Sequence, residues 1–166
     1  MERTFALLTQ VVGRSGRGRN PGKAIIQTLT PENDIIKLAA KQDYDEFYNT
    51  EIRLRKLMIY PPFCDICVVG FSGEDEMKTR VASKCALDKI KELTGGEYKD
   101  EKLIVLGPLP ARVERVNRKY RYRLIIKCKN TSGFRKMISE ILTDFYRDKR
   151  FSEVSVYADI NPEITV

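Results

Sequence analysis

Histidine is absent from the sequence. Its absence excludes Ser-His-Asp and Cys-His catalysis, because both need an imidazole as general base. A zinc site is not favoured either, since Cys64 and Cys67 form a C-x-x-C pair and no second pair exists. We therefore interpret all four cysteines as reduced core residues, with Cys85 on a predicted helix and Cys128 on a predicted strand.

Long apolar runs and a secretion signal are also missing. Runs such as residues 103–106 are far shorter than the roughly 20 residues that a membrane-spanning helix needs. The N-terminal residues 1–10 have no basic start, no long apolar stretch and no small-residue cleavage site. The sequence therefore predicts a protein without membrane partners and with a cytoplasmic location.

Length and composition predict a folded globular chain. With 166 residues, the sequence can form one domain, or one domain and a piece of another. The hydrophobic content of 42% and charged content of 32% are ordinary for a globular protein.

Positive charge is concentrated in one short segment. Residues 110–129 hold eight lysines and arginines against the single acid Glu114, which gives +7 and equals the net charge of the whole chain. In the remainder, residues 1–23 carry +4 and the other residues carry −4. Charge collected in this way indicates an anionic partner bound locally, and nucleic acid is the first candidate.

A Gly-Arg stretch lies in residues 10–22. It could be a solvated basic loop, or it could be part of a phosphate-binding site. The second interpretation uses the spacing: Arg14 and Arg17 are three residues apart, about one helical turn, so both guanidiniums can face one anion. Gly13 and Gly16 leave room for a close approach. Arginines that reach a γ-phosphate stabilise the charge that develops during phosphoryl transfer.

Residues 1–60 have the pattern of an incomplete α/β domain. The predicted elements are a helix at 2–12, a strand at 23–28, a helix that begins at Thr30 and Pro31, and a helix from about Asp43 to the consecutive prolines Pro61 and Pro62. One strand cannot form a sheet alone. We therefore expect this segment to be the end of a larger α/β domain, and the chain to be a fragment.

Residues 61–166 predict a complete α+β domain. The expected elements are a strand at 64–71, a helix at 74–93, strands at 102–116 and 119–128, a helix capped by Thr131 or Ser132, and a strand at 154–158. The first helix has an apolar side that includes Met77 and Val81, and the second has a full apolar stripe from Phe134 to Phe145. This β-α-β-β-α-β order is the ferredoxin-like plan, in which two helices cover one face of an antiparallel sheet.

Alternation in the strand at 119–128 separates apolar from basic side chains. Tyr122, Leu124, Ile126 and Cys128 form the core face, which leaves the basic residues on the face without helices. Such a face can bind single-stranded nucleic acid, although a solvated edge would have the same composition. The candidate nucleic-acid residues are Arg112, Arg115, Arg118, Lys119, Arg121, Arg123 and Lys127.

Several segments resemble a known family. Residues 10–17, QVVGRSGR, resemble motif VI of superfamily 2 helicases, at the end of the second RecA-like lobe. The more diagnostic segment DYDEFYNTEIRLRKLMIYPPF, together with GPLPARVERVNRKYRYRLIIK and ADINP, resembles the PriA family of DNA helicases, which restart stalled bacterial replication forks. The resemblance covers essentially the whole chain.

The resemblance implies an ATP site that this chain would complete only in part. Gln10, Gly13 and Gly16 would belong to that site, and Arg14 and Arg17 would contact the γ-phosphate. The family also uses Mg²⁺ and zinc, but the sequence has no Gly-Lys-Ser/Thr phosphate loop and no acidic Mg²⁺ motif. Cys64 and Cys67 do not match the zinc cysteines of the family. The intact protein is expected to hydrolyse ATP, and this chain alone is not.

The resemblance also implies partners. They are forked and single-stranded DNA, the acidic C-terminal tail of single-stranded-DNA-binding protein, and other primosome proteins. Arg135 and Lys136, early in the last helix, are alternative contacts for the acidic tail. A non-enzymatic RNA- or ribosome-binding module would have the same fold and basic face, and it stays open as an alternative.

Overall fold

The computed structural model describes residues 2–14 and 23–163, and the chain divides into two compact units, Met1–Met58 and Ile59–Val166. In its described residues, the first unit contains three helices. They are α1 (Glu2–Arg14), α2 (Asp34–Lys41) and α3 (Tyr44–Met58).

A small aromatic cluster holds the first unit together. The rings of Phe5 on α1 and Phe47 on α3 are stacked, with centroids 4.1 Å apart, and Ala39 on α2 is buried with them. Arg55 joins the same helices through an ion pair with Glu2 at 3.1 Å. An ion pair this exposed contributes at most about 1 kcal/mol, so the apolar contacts are the main stabilising interaction.

The strand predicted at 23–28 is wrong. Within the described part of residues 2–58 the structure has helices and irregular segments but no strand. The Ile25 side chain is 91% exposed. A β-strand is stable only when neighbouring strands satisfy its backbone hydrogen bonds, and residues 2–14 and 23–58 provide no such strand.

The helix predicted with Thr30 as its cap begins three residues later. Asn33 caps α2, because its Oδ1 atom accepts a hydrogen bond from the Ile35 amide at 3.0 Å. Residues 30–33 instead form a turn in which the Asn33 amide donates to the Thr30 carbonyl at 3.1 Å. The prediction for α3 is confirmed, since Asp43 caps its first turn and the helix ends at Met58, before Pro61.

The second unit is an α+β domain with a four-stranded antiparallel sheet. Its elements are β1 (Asp65–Gly73), α4 (Glu76–Gly95), β2 (Ile104–Val116), β3 (Lys119–Cys128), α5 (Ser132–Arg147), a 3-10 helix (Lys149–Phe151) and β4 (Ser155–Ile160). The strand order is β2-β3-β1-β4, with every neighbouring pair antiparallel. This order and the placement of both helices on one face confirm the predicted plan.

The core lies between the helices and one face of the sheet. Its largest buried side chains include Phe71 on β1, Leu124 and Ile126 on β3, and Phe134 and Met137 on α5. The alternation predicted for β3 is therefore confirmed. Thr131 caps α5, because its Oγ1 atom accepts a hydrogen bond from the Phe134 amide at 2.9 Å.

The buried side of α4 differs in part from the predicted one. Met77 and Val81 were expected in the core, but both are exposed. Thr79 and Ser83 are fully buried instead, and their hydroxyls donate to the carbonyls of Asp75 and Arg80 at 2.6 and 2.7 Å. Small polar side chains can enter a tightly packed helix face because the helix backbone satisfies their hydroxyls.

A two-residue turn joins β2 and β3. Val116 and Lys119 pair across it, and Asn117 and Arg118 between them have φ angles of 50° and 65°. Positive φ at both central residues is the signature of the type I′ hairpin turn, whose twist matches that of the strands. In the described parts of both units, no helix has the length and apolar character needed to cross a bilayer.

Candidate nucleic-acid interface

The basic residues of β3 lie on the sheet face opposite α4 and α5, which we call the open face. Register places Lys127 beside Ile66 and Ile104 at one end of this face. Two residues further along β3, Ile125 pairs with Val68 and Leu106. Arg123 then pairs with Gly70 and Leu109, and Arg121 pairs with Ser72. The neighbours of Lys127 and Ile125 are thus apolar, whereas Arg123 and Arg121 make the other end of the open face basic.

The apolar end of the open face is covered. Ile66, Val68 and Ile125 are buried in a small cluster with Tyr60. The Lys127 ammonium lies 3.9 Å from the centroid of the Tyr60 ring, and Lys127 is only 9% exposed. A cation–π contact of this kind stabilises the charge where water is largely excluded. Lys127 is thus much less accessible than the other basic candidates.

The basic end of the open face is partly exposed and contains an aromatic ring. Tyr157 on β4 is 47% exposed and pairs with Gly70 on β1. A Cβ atom at Gly70 would overlap the hydroxyl end of the Tyr157 ring. The ring therefore leans across β1, toward Arg123 on the next strand.

A bulge in β2 forms a wall beside these residues. Pro110 pairs with Tyr122 and Arg115 pairs with Tyr120, so residues 111–114 stand opposite Arg121 alone. A bulge bends its strand away from regular pairing and redirects its side chains.

The bulge, β3 and β4 enclose a cleft of about 410 Å³. We call it the Tyr157 cleft. Its lining residues include Val68, Arg112, Arg121, Arg123, Tyr157 and Asp159. All four strands thus contribute to the lining, which combines arginines, the exposed Tyr157, the carboxylate of Asp159 and apolar residues.

The remaining basic candidates lie at or near the hairpin turn. Arg115, Arg118 and Lys119 are exposed, and the Arg115 guanidinium lies 4.9 Å from the centroid of the Tyr120 ring. The structure therefore separates the predicted residues into three groups: the cleft arginines, the hairpin residues and the buried Lys127.

Sequence reasoning missed Tyr157. A signal was available, because the predicted strand at 154–158 alternates and Val154 and Val156 form its core side. That alternation assigns Tyr157 to the open face. Its contact with Gly70 could not be read from the sequence, since the two residues belong to strands at opposite ends of the domain sequence.

The alternative contacts for an acidic tail both have partners within the chain. The Arg135 guanidinium donates to the Asn130 carbonyl and to Asn130 Oδ1, both at 3.1 Å. The Lys136 ammonium lies 3.3 Å from Glu97 Oε1. Both pairs are exposed, so an incoming carboxylate could compete for them at little energetic cost.

The part of the Gly-Arg stretch that the structure describes lies at the end of α1. Gln10 and Arg14 are exposed, and Arg14 is the last residue of the helix. A cation at the C-terminus of a helix interacts favourably with the helix dipole. Because Arg14 is exposed, an anion can reach its guanidinium. Gly13 lies in the same turn, whereas Gly16 and Arg17 lie outside the described residues.

The cysteine pair does not fit zinc. Cys64 packs with the cluster under Tyr60, whereas Cys67 is fully buried in the core on the other side of the sheet. Burial raises the pKa of Cys67 to about 12, so its thiol stays protonated, although zinc binds thiolates. Across residues 2–14 and 23–163, no group of three His, Cys, Asp or Glu side chains could hold a metal ion.

Comparisons with known proteins agree on one family. The family model for the primosomal protein N C-terminal domain matches residues 56–163. The replication restart protein PriA of Bacillus subtilis (strain 168) is 35% identical over 161 residues, which cover 97% of this chain and 19% of that protein.

Further relatives have the same name. The replication restart protein PriA of Chlamydia trachomatis is 33% identical over 99% of this chain and 21% of its own length. That of Thermotoga maritima is 38% identical over 75% of this chain and 16% of its own length. The chain spans about a fifth of the length of these relatives. It belongs to the family of the primosomal protein N C-terminal domain.

Proposed function

We propose that the chain is the C-terminal part of a replication restart DNA helicase, and that its second unit binds single-stranded and forked DNA through the open face and the β2–β3 hairpin. One observation supports this proposal above all others. The segment 110–129, which holds the whole net charge of the chain, folds into one hairpin, and its half-buried Arg121 and Arg123 share the open face with the exposed ring of Tyr157.

The physical basis is phosphate neutralisation. Lysines and arginines that contact phosphates release condensed counterions, so affinity depends steeply on salt concentration. Arg112, Arg121 and Arg123 provide planar donors at the cleft, and Arg115 and Arg118 provide them near the turn. A strand at the edge of a sheet needs only occasional lysines to prevent pairing with another chain, and this segment has far more positive charge than that.

Charge reversal tests the DNA proposal. Arg121→Glu with Arg123→Glu is expected to weaken binding of single-stranded DNA. It should also reduce the slope of log affinity against log salt, by about 0.7 for each phosphate that the variant no longer neutralises. Lys84→Glu with Lys99→Glu is a matched control, because it makes the same change in net charge at two exposed lysines, one on α4 and one in the loop after it.

The measurement is a fluorescence anisotropy titration at two salt concentrations. Arg121→Gln, a milder change, separates the effect of removing the charge from any damage to the fold. Equal affinities for wild type and the Arg121 and Arg123 variants would contradict the proposal. Tighter binding of single-stranded RNA than of DNA of the same sequence would favour the alternative of an RNA-binding module.

We extend the proposal to ATP hydrolysis by the longer protein. There Gln10, Gly13 and Gly16 would form part of the site, and Arg14 and Arg17 would donate to γ-phosphate oxygens as negative charge develops on them. ATP with Mg²⁺ supplies the phosphoryl group, and the remainder of the site lies outside this chain. What supports this role is the exposed position of Arg14 at the end of α1.

A single substitution in the full-length protein tests this role. Arg14→Ala is expected to lower DNA-stimulated ATP hydrolysis by about 10³-fold or more, the usual effect of losing an arginine finger. Arg3→Ala is the control, because Arg3 is an exposed arginine on the same helix. Wild-type turnover in the Arg14 variant would contradict the assignment.

Further proposed partners are the acidic tail of single-stranded-DNA-binding protein and other primosome proteins. The proposed location of the protein is the cytoplasm. Carboxylates of such a tail could bind either the cleft arginines or Arg135 and Lys136. Competition between an acidic peptide and single-stranded DNA distinguishes them: displacement indicates the cleft, and simultaneous binding indicates α5.

A further inference from the structure

We propose that the Tyr157 cleft binds one unstacked nucleotide of a single strand, with its base on the Tyr157 ring and its phosphate at the arginines. This inference rests on the proposed function, because it specifies how the open face contacts DNA. It goes beyond phosphate contact, since it assigns a base-binding subsite to a ring that lies outside the charged segment.

The Tyr157 ring is positioned as a platform. Its hydroxyl end lies over Gly70, where no side chain separates it from the sheet, so the ring is supported from below by β1. Nearly half of the residue remains exposed, which leaves the outer face available. Aromatic rings on an open sheet are the platforms on which several small folds stack single-stranded bases.

Three arginines line the same cleft. Arg121 and Arg123 belong to β3, and Arg112 belongs to the bulge of β2, so two neighbouring strands contribute guanidiniums to the cleft. Guanidiniums suit phosphate oxygens because each offers a planar fork of donors. A base on Tyr157 would thus have its phosphate within the same cleft.

Asp159 indicates which way a bound nucleotide would be oriented in the cleft. It follows Tyr157 by two residues on the same face of β4 and provides the carboxylate among the lining residues. A carboxylate repels phosphate but can accept a hydrogen bond from an N–H group of an unpaired base, such as N3–H of thymine. We therefore expect the base near β4 and the phosphate near β2 and β3. The volume of about 410 Å³ is in the lower part of the range of about 300–1,000 Å³ for small-ligand sites, which suits one nucleotide.

Two probes separate base stacking from phosphate contact. One is an oligo-dT of about 12 nucleotides, and the other is an abasic strand of the same length, which keeps the phosphates and has no bases. The full 166-residue chain is titrated with each probe at several salt concentrations, as wild type and as Tyr157→Ala, Tyr157→Phe and Arg112→Gln variants. Thermal melting confirms that each variant is folded.

The expected result differs from one variant to the next. Tyr157→Ala lowers the affinity for oligo-dT by roughly 5- to 100-fold, leaves the affinity for the abasic strand unchanged, and does not alter the salt slope. Tyr157→Phe binds like wild type, because a phenyl ring still stacks. Arg112→Gln weakens both probes equally and reduces the salt slope by about 0.7.

Two failures can be distinguished. If wild type binds both probes with a steep salt dependence but Tyr157→Ala binds oligo-dT as tightly as wild type, the nucleotide subsite is wrong while the proposed function survives. If wild type binds neither probe, the proposed function fails, and the subsite fails with it. An equal weakening of both probes in Tyr157→Ala would also overturn the subsite, since stacking needs a base.

Discussion

Tyr157 and Gly70 are opposite each other on β4 and β1, and the hydroxyl end of the tyrosine ring fills the space where a side chain at Gly70 would lie. A glycine in a strand interior weakens the strand, and it often marks a place where another group approaches closely. Here that group is an aromatic ring on the face that lacks helices. The pair therefore determines how the ring is presented to solvent.

Gly70→Ala is expected to displace the Tyr157 ring. Because that ring is exposed and its far end can swing away, the free energy of unfolding should change by less than about 1 kcal/mol. The affinity for oligo-dT should fall toward that of Tyr157→Ala, with an unchanged salt slope. The measurement is the same anisotropy titration, together with urea unfolding.

Gly95→Ala is the matched control for this prediction. Gly95 is the last residue of α4, and nothing lies within 4 Å of a Cβ atom built there. This variant should bind oligo-dT like wild type and be slightly more stable, because alanine favours helix over glycine by up to about 1 kcal/mol. Wild-type DNA binding by Gly70→Ala would mean that the ring position has no role in binding.

Asn161 is expected to stabilise the end of the sheet through its side chain. Its Oδ1 atom accepts a hydrogen bond from the Ile66 amide at 2.9 Å, and its Nδ2 atom donates to Asp65 Oδ1 at 2.8 Å. Its φ angle of 54° is left-handed, which glycine adopts freely and alanine does not. Asn161→Gly should therefore cost about 1–2 kcal/mol, and Asn161→Ala about 1 kcal/mol more.

Urea unfolding of both variants measures these costs. Both variants lose the side-chain hydrogen bonds, and only alanine keeps a Cβ atom in the left-handed region, so the difference in stability between them measures the backbone strain. Equal stability of the two variants would show that the left-handed backbone costs nothing at this position.

The stability of the chain should fall as pH rises above about 9. Burial raises the pKa of Cys67, and that of Cys128, to about 12, whereas an unfolded thiol has a pKa of about 8.5. The folded state then retains protons that the unfolded state loses. The contribution of these thiols is fully present below the unfolded pKa and is lost as pH rises through the folded pKa.

Cys67→Ala should reduce this pH dependence while also lowering stability by removing a core side chain. Urea unfolding at about pH 8 and about pH 10 provides the comparison. Val69→Ala is the control, because it removes a buried neighbour on the same strand without removing a titratable group. A Cys67→Ala variant with the full wild-type pH dependence would contradict the raised pKa.

Arg118→Gly should make the domain more stable and weaken its DNA binding. Arg118 has a φ of 65° in the hairpin turn, a conformation that costs a residue with a Cβ atom about 1 kcal/mol. Removing its charge should also reduce the salt slope of single-strand binding by about 0.7, if Arg118 contacts a phosphate. Thermal unfolding and anisotropy titrations measure the two effects.

Asn117→Gly distinguishes turn geometry from charge. It relaxes the same turn, where φ is 50°, but keeps every cation. It should raise stability without changing the salt slope. If Arg118→Gly also leaves the slope unchanged, the arginine at the turn has no contact with the strand.

Much of the second unit could be predicted from the sequence because its signals are local. The stripe of α5, the cap at Thr131 and the alternation of β3 each follow from spacing within one element, and all three are confirmed. The strand predicted at 23–28 was wrong because a strand depends on a neighbour, which the residues themselves do not reveal. Met77 and Val81 were misassigned because apolar character alone does not determine which side of a helix faces the core.

The sequence alone determined where the charge lies and which residues alternate along β3, because composition and strand periodicity are properties of the chain itself. Only the tertiary structure decided which of those charges are accessible. It covered Lys127 with Tyr60 and brought Arg112 to Arg121 through a bulge in β2. It also joined Tyr157 to Gly70 across two strands that are far apart in the sequence. Strand pairing and bulges depend on long-range contacts, so no local pattern could have specified the cleft.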